Sequence, residues 1–162
     1  MLKNSDLRNP ENRSGQTTFV GKGETVDGWK TNFSADTISV TENGIQNTIT
    51  SAQKGWHFYQ VVENVEDLWG ESVTAYFSVP DYSGEFFAPI ISCRNAEDKE
   101  IGYGWVELQE GVCTVSYVIP PATKSLRVGI YAKEGAAGGD QFTVETVELY
   151  KGAFTAQTLP RE

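Results

Sequence analysis

Residues 55–79 read GWHFYQVVENVEDLWGESVTAYFSV, and this stretch decides the fold class. Two strand-like runs, Trp56–Val62 and Glu71–Val79, flank a polar turn region that ends at Gly70. In the second run Val73, Ala75, Phe77 and Val79 fall on one face and Ser72, Thr74, Tyr76 and Ser78 on the other, the period-2 pattern of a half-buried strand. The first run sends aromatic groups both ways. Trp56 and Phe58 share a face with Gln60 and are expected in the core, while His57 and Tyr59 share the other with Val61 and form a candidate ligand face. Between the runs, residues 65–69 have the length of one helical turn.

Working outward, the same alternation recurs. Upstream lie the runs Thr17–Val20, Thr25–Lys30 with Trp29 expected in the core, Thr37–Thr41 and Ile45–Thr50, the last two joined by Asn43-Gly44, a type I′ hairpin signal. Downstream, Asp81–Gly84 is a turn and Phe86–Arg94 is a nearly continuous apolar run whose Pro89 predicts an edge position or a bulge. In Ile101–Leu108, Tyr103 and Trp105 share one face opposite Gly102 and Gly104, and Val106 and Leu108 supply an alternative core face. Val112–Ile119 and the run marked by Leu126, Val128, Ile130 and Ala132 follow. Phe142–Tyr150 changes phase, so a bulge near Glu145 is needed to give Phe142, Val144, Val147 and Leu149 a common face. About ten strands at short spacing predict an all-β, antiparallel two-sheet sandwich, with a closed barrel of lipocalin type as the alternative. Alternation stops after Lys151, which sets one domain at 1–152 and a linker or cut end at 153–162.

The totals exclude several functions. Against 13 basic side chains stand 22 acidic ones, and the net charge of −9 repels nucleic acid and anionic lipid. No run approaches the ~20 apolar residues of a membrane span, and MLKNSDLRNP has no signal-peptide core, so synthesis in a cytoplasm is expected. Cys93 and Cys113 lie in strand-like runs and are read as buried, reduced thiols. The triplets at Asn12-Arg13-Ser14 and Asn32-Phe33-Ser34 match the glycosylation pattern but carry no weight without a secretory signal. Catalysis has little to work with: His57 is the single histidine, no G-x-S-x-G is present, and no flanking motif singles out a carboxylate pair. A protein with 4 Trp and 7 Tyr but 1 His is better equipped to bind than to catalyse.

The residues Asn4-Ser5-Asp6-Leu7-Arg8-Asn9-Pro10, Asn12-Arg13, Gly15-Gln16 and Val26-Asp27-Gly28-Trp29 resemble the N-terminal pattern NSDF-x-NPVNQRG…DRW of jelly-roll domains in tail and fibre proteins of tailed bacteriophages and prophages of gut Firmicutes. Tyr59-Gln60, Glu63-Asn64, Leu68, Gly70 and Val73-Thr74 resemble the next pattern of those domains, and residues 147–152, VELYKG, resemble their closing strand. More distantly, the start and end of the chain are similar to jelly-roll carbohydrate-binding modules. The resemblance implies a virion protein, made in the host cytoplasm, that recognises bacterial surface polysaccharide. It also implies a homotrimer in the full-length fibre, although no heptad repeat is present here. In the modules, acidic groups near the first and last strands help hold a structural calcium. Asp6 and Glu145 occupy the matching places, with Glu where Asp is usual, and two candidates fall short of the six to eight oxygens calcium takes. No cofactor is expected otherwise.

Pyranose rings pack their C–H faces on aromatic rings and bond their hydroxyls to polar side chains around the edge. The candidates for such contact are Tyr103 and Trp105 together, His57 and Tyr59 on the face opposite Trp56, and Tyr82 and Trp69 in loops. The alternative function is a spacer or assembly domain of a fibre, whose aromatics are packing and which binds no glycan.

Overall fold

The computed structural model describes residues 2–32, 36–49, 54–136 and 138–160. Phe33 and Ser34 of the second glycosylation triplet, Thr50 at the end of a predicted run, Ala137 shortly before Gly139, and Arg161-Glu162 lie outside the described residues. The described strands are β1 (Thr18–Val20), β2 (Gly23–Glu24), β3 (Lys30–Thr31), β4 (Thr37–Thr41), β5 (Gly44–Thr48), β6 (Gly55–Glu63) and β7 (Ser72–Val79). They continue with β8 (Asp81–Ser83), β9 (Phe87–Arg94), β10 (Glu100–Trp105), β11 (Gly111–Val118), β12 (Ser125–Ala132), β13 (Gln141–Val144) and β14 (Thr146–Lys151).

Two layers result. One is a six-stranded antiparallel sheet in the order β10-β9-β12-β6-β3-β2. The other is divided into β1-β4-β5-β13-β8 and β11-β7-β14. Because β8 follows β7 after Pro80 and β14 follows β13 after Glu145, these two pieces continue one another as a single layer. The fold is the expected all-β jelly-roll sandwich, and the open sheet edges exclude a closed barrel. The strands outnumber ten because single residues interrupt two long strands and because β2 and β3 are two-residue ladders.

The core lies between the layers. Val73, Ala75, Phe77 and Val79 are fully buried, as the alternation of β7 requires, and Trp29 stacks on Phe58 with ring centroids 4.7 Å apart. Phe87 and Phe142 meet edge to face at 4.9 Å. Phe142, Val144, Val147 and Leu149 all reach this core, so the phase change at Glu145 does what its position predicts. Here the Glu145 N–H donates to Ser78 O and its carbonyl accepts from Leu7 N, both at 2.9 Å, which fastens the N-terminal segment beside β14 through the Asp6–Thr146 bridge. Beyond Lys151 the chain turns back over the outer face of β7: Thr74 Oγ1 donates to Gly152 O at 2.8 Å and accepts from Phe154 N at 3.0 Å.

Several readings need correction. The runs of residues 55–79 are not partners: β6 and β7 lie in opposite layers, connected through a single 3₁₀ turn, Glu66–Leu68, whose Leu68 is buried. Pro89 is not on an edge. It sits in β9, between β10 and β12, but its carbonyl accepts from Val106 N, so its missing donor faces the side where the β10 ladder has already ended at Trp105. The β4–β5 hairpin forms one residue early. Thr41 pairs with Gly44, leaving Glu42-Asn43 as the loop, and Gly44 itself has φ 128°. Finally, Trp56 and Phe58 do not share a face. The β6–β12 register jumps between the pairs Phe58–Ile130 and Trp56–Tyr131, making His57 the extra residue of a bulge and turning Trp56 outward.

Candidate functional site

On β12 the core takes Leu126, Val128, Ile130 and Ala132, which leaves Arg127, Gly129 and Tyr131 on the outside of the six-stranded sheet. Register carries this side across the neighbouring strands. Trp105, Ile90, Gly129 and Tyr59 lie side by side on β10, β9, β12 and β6, a row about 14 Å long at the usual ~4.8 Å between strands. Tyr103, Ser92, Arg127 and Val61 form the row on one side of it, and Ala88, Tyr131 and Trp56 the row on the other. Gly129 cannot be exchanged here, because a Cβ would lie 2.1 Å from Phe58 O and 2.7 Å from Tyr59 Cβ.

Trp56, Tyr59 and Ile90, with Tyr131 and Val61 against them, form an apolar cluster separate from the main core. The Trp56 ring meets Tyr59 at 5.4 Å and Tyr131 edge-on at 5.6 Å. The Arg127 guanidinium lies over this cluster, 5.1 Å from the Tyr59 ring and 5.7 Å from that of Trp56, and is anchored to Asp98 at 3.2 Å. Beside the cluster opens a groove of about 350 Å³. Tyr103 and Trp105 line it along the edge strand, Ile90 and Tyr131 form its floor, and Lys54, Lys133 and Glu100 stand around it. Lys133 Nζ is 4.6 Å from the Trp105 ring centre and 3.5 Å from Glu107, and the Glu100 carboxylate accepts from Ser92 Oγ at 2.6 Å. Apolar ring surface beside anchored donors and acceptors suits a ligand that is apolar on its faces and polar at its edges.

The structure brings some of the predicted residues together and separates others. Tyr103 and Trp105 are 52% and 42% exposed, while Leu108 is buried and Val106 partly so, which is the arrangement that frees them for contact. Gly102 and Gly104 on their inner side lie against the Tyr117 ring. Tyr59 is on the same face but buried beneath Arg127, with its hydroxyl donating to Asn32 Oδ1 at 2.7 Å. The reading of His57 as a partly exposed ligand residue is corrected: it is wholly buried, because the bulge turns its ring inward to Asp36, 2.6 Å away. Its burial also leaves no exposed imidazole for a catalytic triad. The reading of Tyr82 as a loop residue in a turn is corrected: it lies on β8 paired with Phe142, and it lines a neighbouring cleft of about 420 Å³ with Glu85, Phe86 and Glu107, which meets the groove at Lys133. Trp69 lies apart, past the end of the sheet where Glu63 pairs with Ser125, and its Nε1 donates to Thr123 O at 2.7 Å.

Tyr131, Arg127 and Lys133 join the site although they are not among the residues the sequence singles out. The alternation of β12 already places the first two outside, and only their partners were missing. The Asp6 backbone bridges Thr146, the residue after Glu145, but Asp6 Oδ1 accepts from Arg8 N and Glu145 Oε1 from Ser78 Oγ. Among the described residues no group of three or more His, Cys, Asp or Glu side chains could hold a metal ion.

The sequence matches no protein-family model and has no significant match among curated proteins. Solved structures do match the fold. One is a carbohydrate-binding module of family CBM4, with a TM-score of 0.56, 14% identity, and 93% of this chain and 99% of that one covered. Another is the xylan-binding domain CBM22-1 of Paenibacillus barcinonensis Xyn10C, with a TM-score of 0.50, 14% identity, and coverage of 95% and 100%. A third is the enzymatically active domain of tailspike protein 4 of bacteriophage CBA120, with a TM-score of 0.55 and 13% identity. This chain matches over 93% of its own length but spans 21% of that tailspike chain. At these identities the likeness establishes a shared fold.

Proposed function

We propose that this domain is a non-catalytic glycan-binding module that holds a polysaccharide segment in the groove on the six-stranded sheet. The observation that carries the reading is the pair Tyr103 and Trp105, exposed on the edge strand above a floor of Ile90 and Tyr131. Charges around the site nearly balance: Lys54, Lys133, Arg94 and Arg127 stand against Glu100, Glu107 and Asp98, so the groove, unlike the acidic protein as a whole, does not repel an uncharged or weakly acidic sugar chain. The shared fold adds that this scaffold occurs both in carbohydrate-binding modules and in a phage tailspike. With the resemblance of the N-terminal residues, it supports a place in a phage tail or fibre, where the ligand is a polysaccharide of the bacterial surface.

A glycan array that includes bacterial surface polysaccharides tests the reading. Binding should be lost in Tyr103→Ala/Trp105→Ala, each ring contributing about 2 kcal/mol, or ~30-fold, while surface changes of this kind cost under ~1 kcal/mol of stability. No binding by the natural sequence to any glycan would leave the spacer reading. Binding that survives the double substitution would move the site elsewhere.

A further inference from the structure

The bulge in β6 has a cause buried beneath the sheet. Phe58 points into the core against Trp29, so a regular strand would place residue 57 outside and Trp56 inside. The extra residue reverses this, and Trp56 stands outside opposite Tyr131. What holds the extra residue is a polar cluster in an otherwise apolar interior. His57 Nδ1 donates to Asp36 Oδ2 at 2.6 Å, and the same oxygen accepts from Thr31 Oγ1 at 3.1 Å and from Asn47 Nδ2 at 3.2 Å. Asn47 Nδ2 also donates to the His57 carbonyl, at 2.7 Å, so one amide ties the bulged backbone to the carboxylate that holds its side chain. Asp36, Asn47 and His57 are each no more than 1% exposed. Taking such a pair out of water is costly, and an apolar pair of similar size often serves stability as well, which points to a conformational role for this one.

We propose that His57 and Asp36 are positioning residues for the glycan groove: by locking the bulge in β6 they turn Trp56 to the ligand side, where it backs Tyr131 and Tyr59 and sets the floor. Neither residue touches the ligand. The proposal rests on the groove being the glycan site, but its structural half is separable from that reading.

The lock is tested on the whole chain with four variants. His57→Ala and Asp36→Ala, which removes the accepting oxygen, release the bulge, Val115→Ala lowers stability through the core without touching β6, and deletion of His57 combined with Asp36→Asn removes the bulge altogether. Deletion leaves Trp56 next to Phe58, in the position that a regular strand turns outward, so it should restore what His57→Ala loses. For the glycan found on the array, His57→Ala should lose about tenfold in affinity, Val115→Ala less than about twofold at matched distance from its melting point, and the deletion variant should approach the natural sequence. The near-ultraviolet circular dichroism contributed by Trp56, read as the difference from Trp56→Phe in each background, should collapse in His57→Ala and persist in Val115→Ala. Asp36→Ala supplies the same two readouts if His57→Ala does not fold. An unchanged Trp56 signal in the released variants overturns the lock, whether or not any glycan binds. A deletion variant that binds no better than His57→Ala overturns it as well. If the natural sequence binds no glycan while the Trp56 signal behaves as expected, the groove's ligand is misassigned and the lock stands.

Discussion

Cys93 lies in β9 with its thiol in the core and its neighbours Ser92 and Arg94 toward the groove side, so its titration reports on the sheet that carries the site. Burial pushes this thiol from 9.0 up to about 11, with the Thr123 hydrogen bond opposing and Glu100 adding to the rise; Cys113 is raised too, again by burial. The direction of the stability effect follows from linkage. An unfolded chain releases the Cys93 proton near 9.0 while the folded chain keeps it to about 11, so this stabilisation is complete below pH 9 and is lost as pH rises between those values. The melting temperature of the natural sequence should therefore exceed that of Cys93→Ala by a margin that narrows steadily across that interval. A margin that stays constant would mean that the thiol is not shielded from solvent as its full burial requires. The thiol's burial was legible from its place in an apolar run; for Tyr103 and Trp105 the pattern left either parity open as the core face, and the burial of Leu108 decides for their exposure. His57 was not legible. Its burial depends on Asp36 and Asn47, which lie 21 and 10 residues away and leave no local pattern.

At the scale of elements, the hairpin of β4 and β5 shows how a correct signal can carry a different meaning. The Asn43-Gly44 pair marks a turn, and a turn is there, but Gly44 is required for a contact with another strand. A Cβ on it would lie 2.2 Å from Val144 O, and its φ of 128° is one that side chains rarely adopt. Gly44→Ala should thus cost about 2–4 kcal/mol, combining backbone strain with displacement of β13. By contrast, Asn43→Gly should cost about 0.5 kcal/mol at most, since the loop residue meets no such constraint. Urea unfolding of both variants checks this, and equal losses would return the effect to the turn itself. Strands such as β7 were readable because one face meets the core and the other does not. The phase change at Glu145 was readable too, since four apolar residues of mixed parity needed one face, but it is a break between β13 and β14 and not the expected bulge, because two residues separate the pairs Thr143–Asp81 and Thr146–Ser78 on both strands. The bulge at His57 was hidden because aromatic side chains flank it on both sides, and either parity made an acceptable strand.

For the molecule as a whole, one groove on one domain sets a limit on affinity. On the proposed function the groove takes a short segment along a row of about 14 Å, and contact with two exposed rings and a shallow floor suits affinities nearer micromolar than nanomolar. A surface polysaccharide, however, repeats its binding segment many times. Three copies of the domain joined at one end meet those repeats at high effective concentration, and avidity should rise ~10²–10⁴-fold over the single domain without any new contact. Under the proposed fibre reading a homotrimer would act in this way, and this sequence carries no heptad repeat to drive one. In solution the 162-residue chain should sediment as a monomer of 17.9 kDa. Fused to a trimeric coiled coil, it should bind polysaccharide-coated surfaces far more tightly, while its affinity for a short oligosaccharide stays unchanged per site. A trimer formed by the domain alone would contradict this division of labour. So would a fusion that gains equally on the short oligosaccharide, since that gain would require a site completed between copies rather than the groove of a single sheet.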